Sequence, residues 1–443
     1  MRASKHKVGL IFFPAFDWAI SPDHPEREER LLYTRDQIME EGLLDVPGIE
    51  EFRPAIASAA EIDRVHICVP STDSVVTESH KIAAGGTITA ADLVLSGQVD
   101  RAFALLRPPG HHAFRVVHGS RGFCVINTEA IMVEHIRHTY GKDLSIAIVD
   151  TDAHHADGTQ DIFYNDPGIL HISLHQDGRT LYPGTGFINE RGGPAAYGQT
   201  INVPLPPGTG DEGLLYALES LVLPILAEFE PDVIINAAGQ DNHYSDPLTN
   251  MNVTARGYAR LTELLAPDIV VLEGGYSIEG ALPYVNAGLL LGLAGLDYSG
   301  AREPDWSAEQ VRQSPRVTEI IKQTVGELQK MWSTRHDVEL EAVFGRGPVF
   351  ERRRQIYYDT DAIMEEQFEH MRLCSTCSGW RSIYSGATRG RGRSSLIAAI
   401  LIPWHACAEC RQAGADRYQA SLESGKFQHV YMQDVENDVF IRS

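Results

Sequence analysis

At 443 residues the chain is too long for one small core, so one large domain with an appendage, or two domains, is expected. A hydrophobic content of 43% with 22% charged residues excludes a disordered or membrane-dominated chain. The formal charge of −22 argues against non-specific nucleic-acid binding and favours cationic substrates entering a cleft.

The basic start, Arg2 to Lys7, followed by the apolar run 8–16, superficially resembles a signal peptide. That run is short, holds Pro14 and lacks a small-residue cleavage site before Asp17, so it reads as a first buried strand and the protein as cytoplasmic. Short β-rich runs recur at 8–13, 65–69, 102–106, 145–149, 170–174, 201–205, 233–237 and 269–272. Most are continuously apolar, as in strands covered on both faces of a parallel sheet. Helical patterns lie between many of them, at 28–41, 89–95, 129–138, 213–229 and 255–265. The alternation predicts a single α/β layer of about eight strands flanked by helices. The apolar stretch 281–296 carries Pro283 and Asn286 and falls short of a membrane span.

Beyond Gly300 the character changes. Residues 309–332 read as a terminal helix, 345–354 as a charged connector, and 386–395 as a basic loop whose Arg389, Arg391 and Arg393 fit solvent better than nucleic acid. The expected division is a catalytic domain at 1–345 and an extension at 346–443. Cys68 and Cys124 lie alone in apolar runs and read as buried small residues. Cys374-x-x-Cys377 and Cys407-x-x-Cys410 form two pairs that predict a small structural zinc module, about residues 370–415.

Ligands of open α/β sheets bind beyond the carboxyl ends of the strands. Four such ends carry the polar residues of greatest chemical interest: His111-His112 after 102–106, Asp150-x-Asp152-x-His154 after 145–149, Asp241 after 233–237, and Glu273-Gly-Gly-Tyr276 after 269–272. In extended backbone a spacing of two points Asp150, Asp152 and His154 the same way. Asp152, His154 and Asp241 supply three N/O donors and leave a fourth position open, the layout of a catalytic zinc site. Histidine suits the proton transfers that amide hydrolysis needs, and adjacent imidazoles should not both be charged. Asp150 and Asp157 are the candidate carboxylate partners. Tyr276, after two glycines, is placed to donate its hydroxyl to a developing oxyanion.

The segments Arg107-Pro-Pro-Gly-His-His-Ala113, Gly122-Phe-Cys-Val-Ile-Asn127, Asp150-x-Asp-x-His-His-x-Asp-Gly158, Ser173-Leu-His175, Tyr182-Pro-Gly-Thr-Gly186, Asp246-Pro247 and Glu273-Gly-Gly-Tyr276 resemble the zinc-dependent histone deacetylase superfamily. His24-Pro-Glu-Arg27 is similar to its amino-terminal signature, and the form of the first segment is nearest the class II and prokaryotic members. The resemblance spans residues 8–330 and implies an arginase/deacetylase-like sheet. It makes Asp152, His154 and Asp241 the zinc ligands, His112 with Asp157 the general base and acid, and His111 with Asp150 the electrostatic partner. Tyr276 would polarise the acyl carbonyl. Gly122, Phe123, Tyr182, Leu248 and Gly274 would contact the substrate, and Asp150, Asp152, His154, Ser173 and Leu174 would hold potassium. Gln240 replaces the usual aromatic before the third ligand and, with Asn242-His243-Tyr244, is expected to alter the rim or wall. The family's rim aspartate has no match in 65–79.

The implied activity is zinc-dependent removal of an acyl group, foremost acetyl, from acyl-lysine in proteins, by an enzyme that needs no membrane and is free to oligomerise. Acetylpolyamine deacetylation is the alternative, although Leu248 stands where polyamine-selective relatives place an acid. Asp152-Ala-His-His-Ala-Asp157 also resembles an arginase pattern, but Asp241 lacks the paired aspartate of two-manganese sites. The alternative of another class is a recruitment protein acting through the cysteine module, which the complete catalytic set argues against.

Overall fold

The computed structural model describes residues 3–390 and 392–443; Met1, Arg2 and Arg391 lie outside the described residues. In chain order the first strands are β1 (Val8–Phe13), β2 (Ile49–Phe52), β3 (Ile67–Cys68), β4 (Arg101–Leu106), β5 (Val116–Val117), β6 (Ile146–Asp150), β7 (Ile169–Gln176), β8 (Thr200–Leu205), β9 (Val233–Ala238) and β10 (Ile269–Leu272). Eight of them form one sheet in the order β2-β1-β4-β10-β9-β6-β7-β8. Every pairing in it is parallel.

Alternation along each strand divides the core in two. Phe103, Leu105, Ala147 and Val149 face one layer, which includes residues of the helices Ala255–Leu265 and Leu282–Ala294. Ala102, Ala104, Ile146 and Ile148 face the other, with residues of Glu78–Leu95 and Thr128–Thr139. Both faces are thus apolar, which explains the continuous hydrophobic runs in the sequence. No helix among the described residues is long and apolar enough to cross a membrane.

Three sequence expectations change here. Strand β3, within 65–69, leaves the main sheet and pairs with β5 as a short ribbon. Its expected place is taken by β2, an edge strand whose middle Glu50 and Glu51 are exposed, so it shows no apolar run. The helix expected at 89–95 starts at Glu78 because Gly85 and Gly86, which weaken a helical reading, are packing residues. A Cβ on Gly85 would lie 2.3 Å from the Ala55 carbonyl oxygen, and one on Gly86 2.7 Å from Leu106 Cδ1. The terminal helix begins at Pro315, with Ser314 accepting the Val317 N–H.

The extension is larger than its cysteines suggested. Strands β11 (Val349–Tyr358), β12 (Ile363–Arg372), β13 (Arg381–Arg389), β14 (Arg393–Ile402), β15 (His429–Asp434) and β16 (Val439–Arg442) make a six-stranded sheet in that order. The first four form an antiparallel meander; β14 and β15 are parallel, joined through the helix Ala408–Glu423. The segment read as a connector is largely β11, and the basic loop is the β13–β14 hairpin. The connector's charges misled because two of them face the catalytic layer: Arg352 and Arg354, with Arg381 of β13, converge on the buried Asp161. Apolar contact completes the junction, with Ile383, Ile397, Leu401 and Tyr431 packed on Ile67 and Val116.

Candidate active site

The carboxyl ends of β4, β6, β9 and β10 meet at the middle of the sheet and bring four sequence segments together. Asp150 ends β6, and beyond it the chain turns instead of continuing extended. Asp150 Oδ1 accepts the Asp152 N–H at 3.0 Å, and Asp152 Oδ1 accepts the His154 N–H at 2.7 Å. Each carboxylate therefore orders the backbone two residues on, as aspartates do in turns. Asp241 Oδ1 accepts the Ala153 N–H at 2.8 Å, fixing the β9 loop against the β6 loop.

These bonds place one donor atom each from Asp152, His154 and Asp241 within 4.8 Å of one another. His154 Nδ1 lies 2.8 Å from Asp241 Oδ2 and 3.1 Å from Asp152 Oδ1. Against the opposing effect of burial, the two carboxylates hold its pKa up at about 10. The same negative field would draw a divalent cation. Two glycines leave room for this convergence: a Cβ on Gly239 would lie 2.0 Å from Asp152 Oδ2, and one on Gly274 2.4 Å from Asp241 Oδ2. The Gly274 N–H donates to Asp152 Oδ2 at 2.7 Å.

The histidine pair beside this centre is asymmetric. His111 Nδ1 lies 3.1 Å from Asp150 Oδ2, and His112 Nδ1 lies 2.8 Å from Asp157 Oδ1. Burial opposes charge on both. At His111 the nearby Asp152, Asp150 and Glu273 overcome it and raise the pKa well above the usual range. At His112 burial, reinforced by charged His111, wins over Asp157 and brings the pKa down to about 3. One imidazole is a cation and its neighbour a neutral base, as like-charge repulsion requires.

Tyr276 is 8% exposed, and its N–H donates to Asp246 Oδ2 at 2.7 Å. Phe123 packs edge-on to it at 5.5 Å between ring centres, and Tyr182 lies 5.2 Å from the His112 ring. Gly122 abuts His112, where a Cβ would lie 2.4 Å from Cδ2. Leu248 is half-buried, with its N–H bonded to Asp246 Oδ1. Asp150 and Ser173 are register partners on β6 and β7, with Leu174 next along β7. Gln240 is fully buried with its amide donating to Asn286, and His243 is buried against Glu303.

Comparison with known proteins agrees with this geometry. Residues 68–288 match the histone deacetylase domain family. A probable deacetylase of Archaeoglobus fulgidus is 42% identical over 71% of this chain and 94% of its own length. The acetoin utilization protein AcuC of Bacillus subtilis is 34% identical over 69% of this chain and 87% of its own. The chain belongs to the histone deacetylase family. Its structure superposes on the HDA15 HD domain with a TM-score of 0.64 and 27% identity, covering 75% of this chain and 96% of that one. As a family member the protein is a deacetylase, an enzyme that hydrolyses acetyl amides. The second sheet lies wholly outside the family match.

Several residues of this deacetylase were invisible as site residues in the sequence. Arg121 holds Asp157 with both terminal nitrogens, at 2.8 and 2.5 Å, which fixes the carboxylate behind His112 and keeps it ionised. Arg30 donates to the Glu273 and Gly275 carbonyl oxygens and lies 4.9 Å over the Tyr276 ring, supporting the Glu-Gly-Gly-Tyr turn. Glu26, fully buried, pairs with both Arg30 and Arg107, which gives the amino-terminal His-Pro-Glu-Arg motif its purpose. An arginine carries no signal of its own in a sequence unless its buried partner is known. Asp359, from the β11–β12 turn, also reaches the site: its Oδ1 accepts the Gly122 N–H at 2.8 Å and the Tyr182 hydroxyl at 3.2 Å.

Far from this centre, Cys374 and Cys377 follow β12, while Cys407 and Cys410 stand at the start of the helix Ala408–Glu423. Their four sulfurs also fall within 4.8 Å of one another. Cys410 is buried and the other three are half-buried, while Cys68 and Cys124 are isolated and buried.

Proposed function

We propose that this deacetylase works through a zinc ion held by Asp152, His154 and Asp241 and removes acetyl groups from acyl-lysine in proteins. The carrying observation is the His112 imidazole, hydrogen-bonded to Asp157 and 5.9 Å ring to ring from His154, where three metal-capable donors converge. One imidazole with two carboxylates suits zinc, and the glycine-lined cradle fits it. Bound there, zinc supplies a Lewis acid and lowers the pKa of its water towards neutrality.

The protein's own groups supply the remaining chemistry. His112 takes the proton of the attacking water at Nε2, because Asp157 already engages Nδ1, and returns it to the leaving amine. His111, its pKa raised by Asp152, Asp150 and Glu273, lowers the basicity of His112 and stabilises negative charge developing at the acyl carbon's oxygen. The Tyr276 hydroxyl donates to that oxygen. Phe123 and Tyr182 flank the acyl-lysine methylenes, Gly122 and Gly274 allow close approach, and Leu248 stands at the outer edge. A potassium ion on Asp150, Asp152, His154, Ser173 and Leu174 would brace the β6–β7 ends. A structural zinc on Cys374, Cys377, Cys407 and Cys410 would tie β12 to the helix of the second sheet.

Asp359 beside Tyr182 gives a second reading some support, since an acid at the mouth suits an acetylated polyamine. Turnover of an acetyl-lysine peptide against N-acetylspermidine, with and without a chelator, decides between them. Faster peptide turnover that chelation abolishes is expected. Rates indifferent to chelator would overturn the metal mechanism, and much faster acetylspermidine turnover would overturn the substrate class.

A further inference from the structure

The loop Gly119-Ser-Arg-Gly-Phe123 forms one wall of the active site and holds an unfavourable backbone. Gly122 and Phe123 both have positive φ, 52° and 69°, and for phenylalanine this left-handed conformation is disfavoured by side-chain crowding. Such strain persists only where the surroundings fix it. The loop must nonetheless be placed closely, since Gly122 abuts His112 and Arg121 holds Asp157.

The fixing groups come from the second sheet. Asp361 Oδ2 accepts the Ser120 N–H at 2.7 Å, and Asp359 Oδ1 accepts the Gly122 N–H at 2.8 Å. A Cβ on Gly119 would lie 2.2 Å from Asp361 Oδ2, so that carboxylate packs directly against the loop backbone. The turn carrying both aspartates is itself anchored. Tyr358, before it, is 2% exposed, with its hydroxyl 3.1 Å from the Val116 carbonyl oxygen and 2.9 Å from Glu365 Oε2. Ile356 and Ile363 on either side pack against Phe114.

We propose that the second sheet is a working part of the catalytic site, and that Asp359 and Asp361 are positioning residues clamping the loop 119–123 beside His112. Asp359 additionally fixes Tyr182 and so sets the width of the substrate wall. The kinetic part of this inference rests on the deacetylase mechanism proposed above; the structural part does not.

Asp359→Ala with Asp361→Ala in the full chain is the test, read by amide hydrogen exchange over 118–124 and by steady-state kinetics on the acetyl-lysine peptide. Faster exchange confined to that segment is expected. KM should rise about tenfold with kcat changed less, because a lost bond to an ionised acceptor loosens the substrate wall while the proton-transfer groups remain. Asp359→Asn with Asp361→Asn should restore both readouts, since the amide oxygen still accepts the same N–H groups. Unchanged exchange in the alanine chain would overturn the clamp. Asparagine variants as impaired as alanine would do so too, as would faster exchange with unaltered kinetics. If the unmodified chain hydrolyses no acetyl amide, the functional reading fails and the exchange measurement still judges the clamp. Should the double alanine chain not fold, Asp359→Ala alone carries the same readouts.

Discussion

The two clusters able to hold a metal are built on opposite plans. Asp152, His154 and Asp241 come from two strand ends, with both aspartates fully buried and His154 partly so, and are positioned by backbone N–H groups and by glycines that leave space. The four cysteines come from two short local pairs near the surface. Three mixed N/O donors leave a coordination position for chemistry, whereas four thiolates close the tetrahedron and serve folding. On the proposed reading, donor number and donor type would separate a reactive site from a structural one within a single chain.

Gly239→Ala presses hardest on this contrast. The added methyl must displace Asp152, so activity should fall below detection and one metal should be lost, while the cysteine cluster keeps its own; retained metal at full activity would break the comparison. Tyr276→Phe should lower kcat by ~10²–10³-fold with metal content unchanged, the usual cost of one oxyanion donor. Full activity in that variant would remove the hydroxyl from the mechanism. Asp161→Asn leaves Arg352, Arg354 and Arg381 around a neutral group and should destabilise the protein by ~3–5 kcal/mol, seen in denaturant titration. The three guanidiniums, against opposing burial, hold the Asp161 carboxyl below its ordinary pKa. Its contribution is therefore complete above about pH 4 and declines as pH falls below that value. The asparagine variant should lack this part of the acid dependence. Smallest for catalysis, Cys374→Ser with Cys407→Ser should remove one metal and lower the thermal midpoint while deacetylation persists; loss of activity in step with that metal would merge the two sites into one.

The segments that converge at the candidate site were legible because metal-capable and titratable residues are unusual at the carboxyl ends of apolar strands. Thus Asp152, His154, Asp241 and the histidine pair stand out in the amino-acid sequence alone. Seven of the eight strands were equally visible, each covered on both faces. What escaped was whatever depended on a distant partner. Glu50 and Glu51 hid an edge strand because one border of such a strand needs no neighbour. Arg352 and Arg354 read as a solvated connector because Asp161, which neutralises them, lies almost two hundred residues earlier in the sequence. His66, held neutral by burial with a pKa of about 3, bridges the Phe114 carbonyl and the Asn127 N–H, a role that no local pattern announces.

The turn bearing Asp359 and Asp361 has a consequence for biosynthesis. Every proton-transfer and metal-capable group of the main centre has been synthesised by Tyr276, yet the carboxylates gripping Ser120 and Gly122 follow about 80 residues later. At ordinary elongation rates that is a delay of several seconds. During it the nascent polypeptide carries the residues of the main centre while the carboxylates that hold the loop 119–123 have yet to emerge.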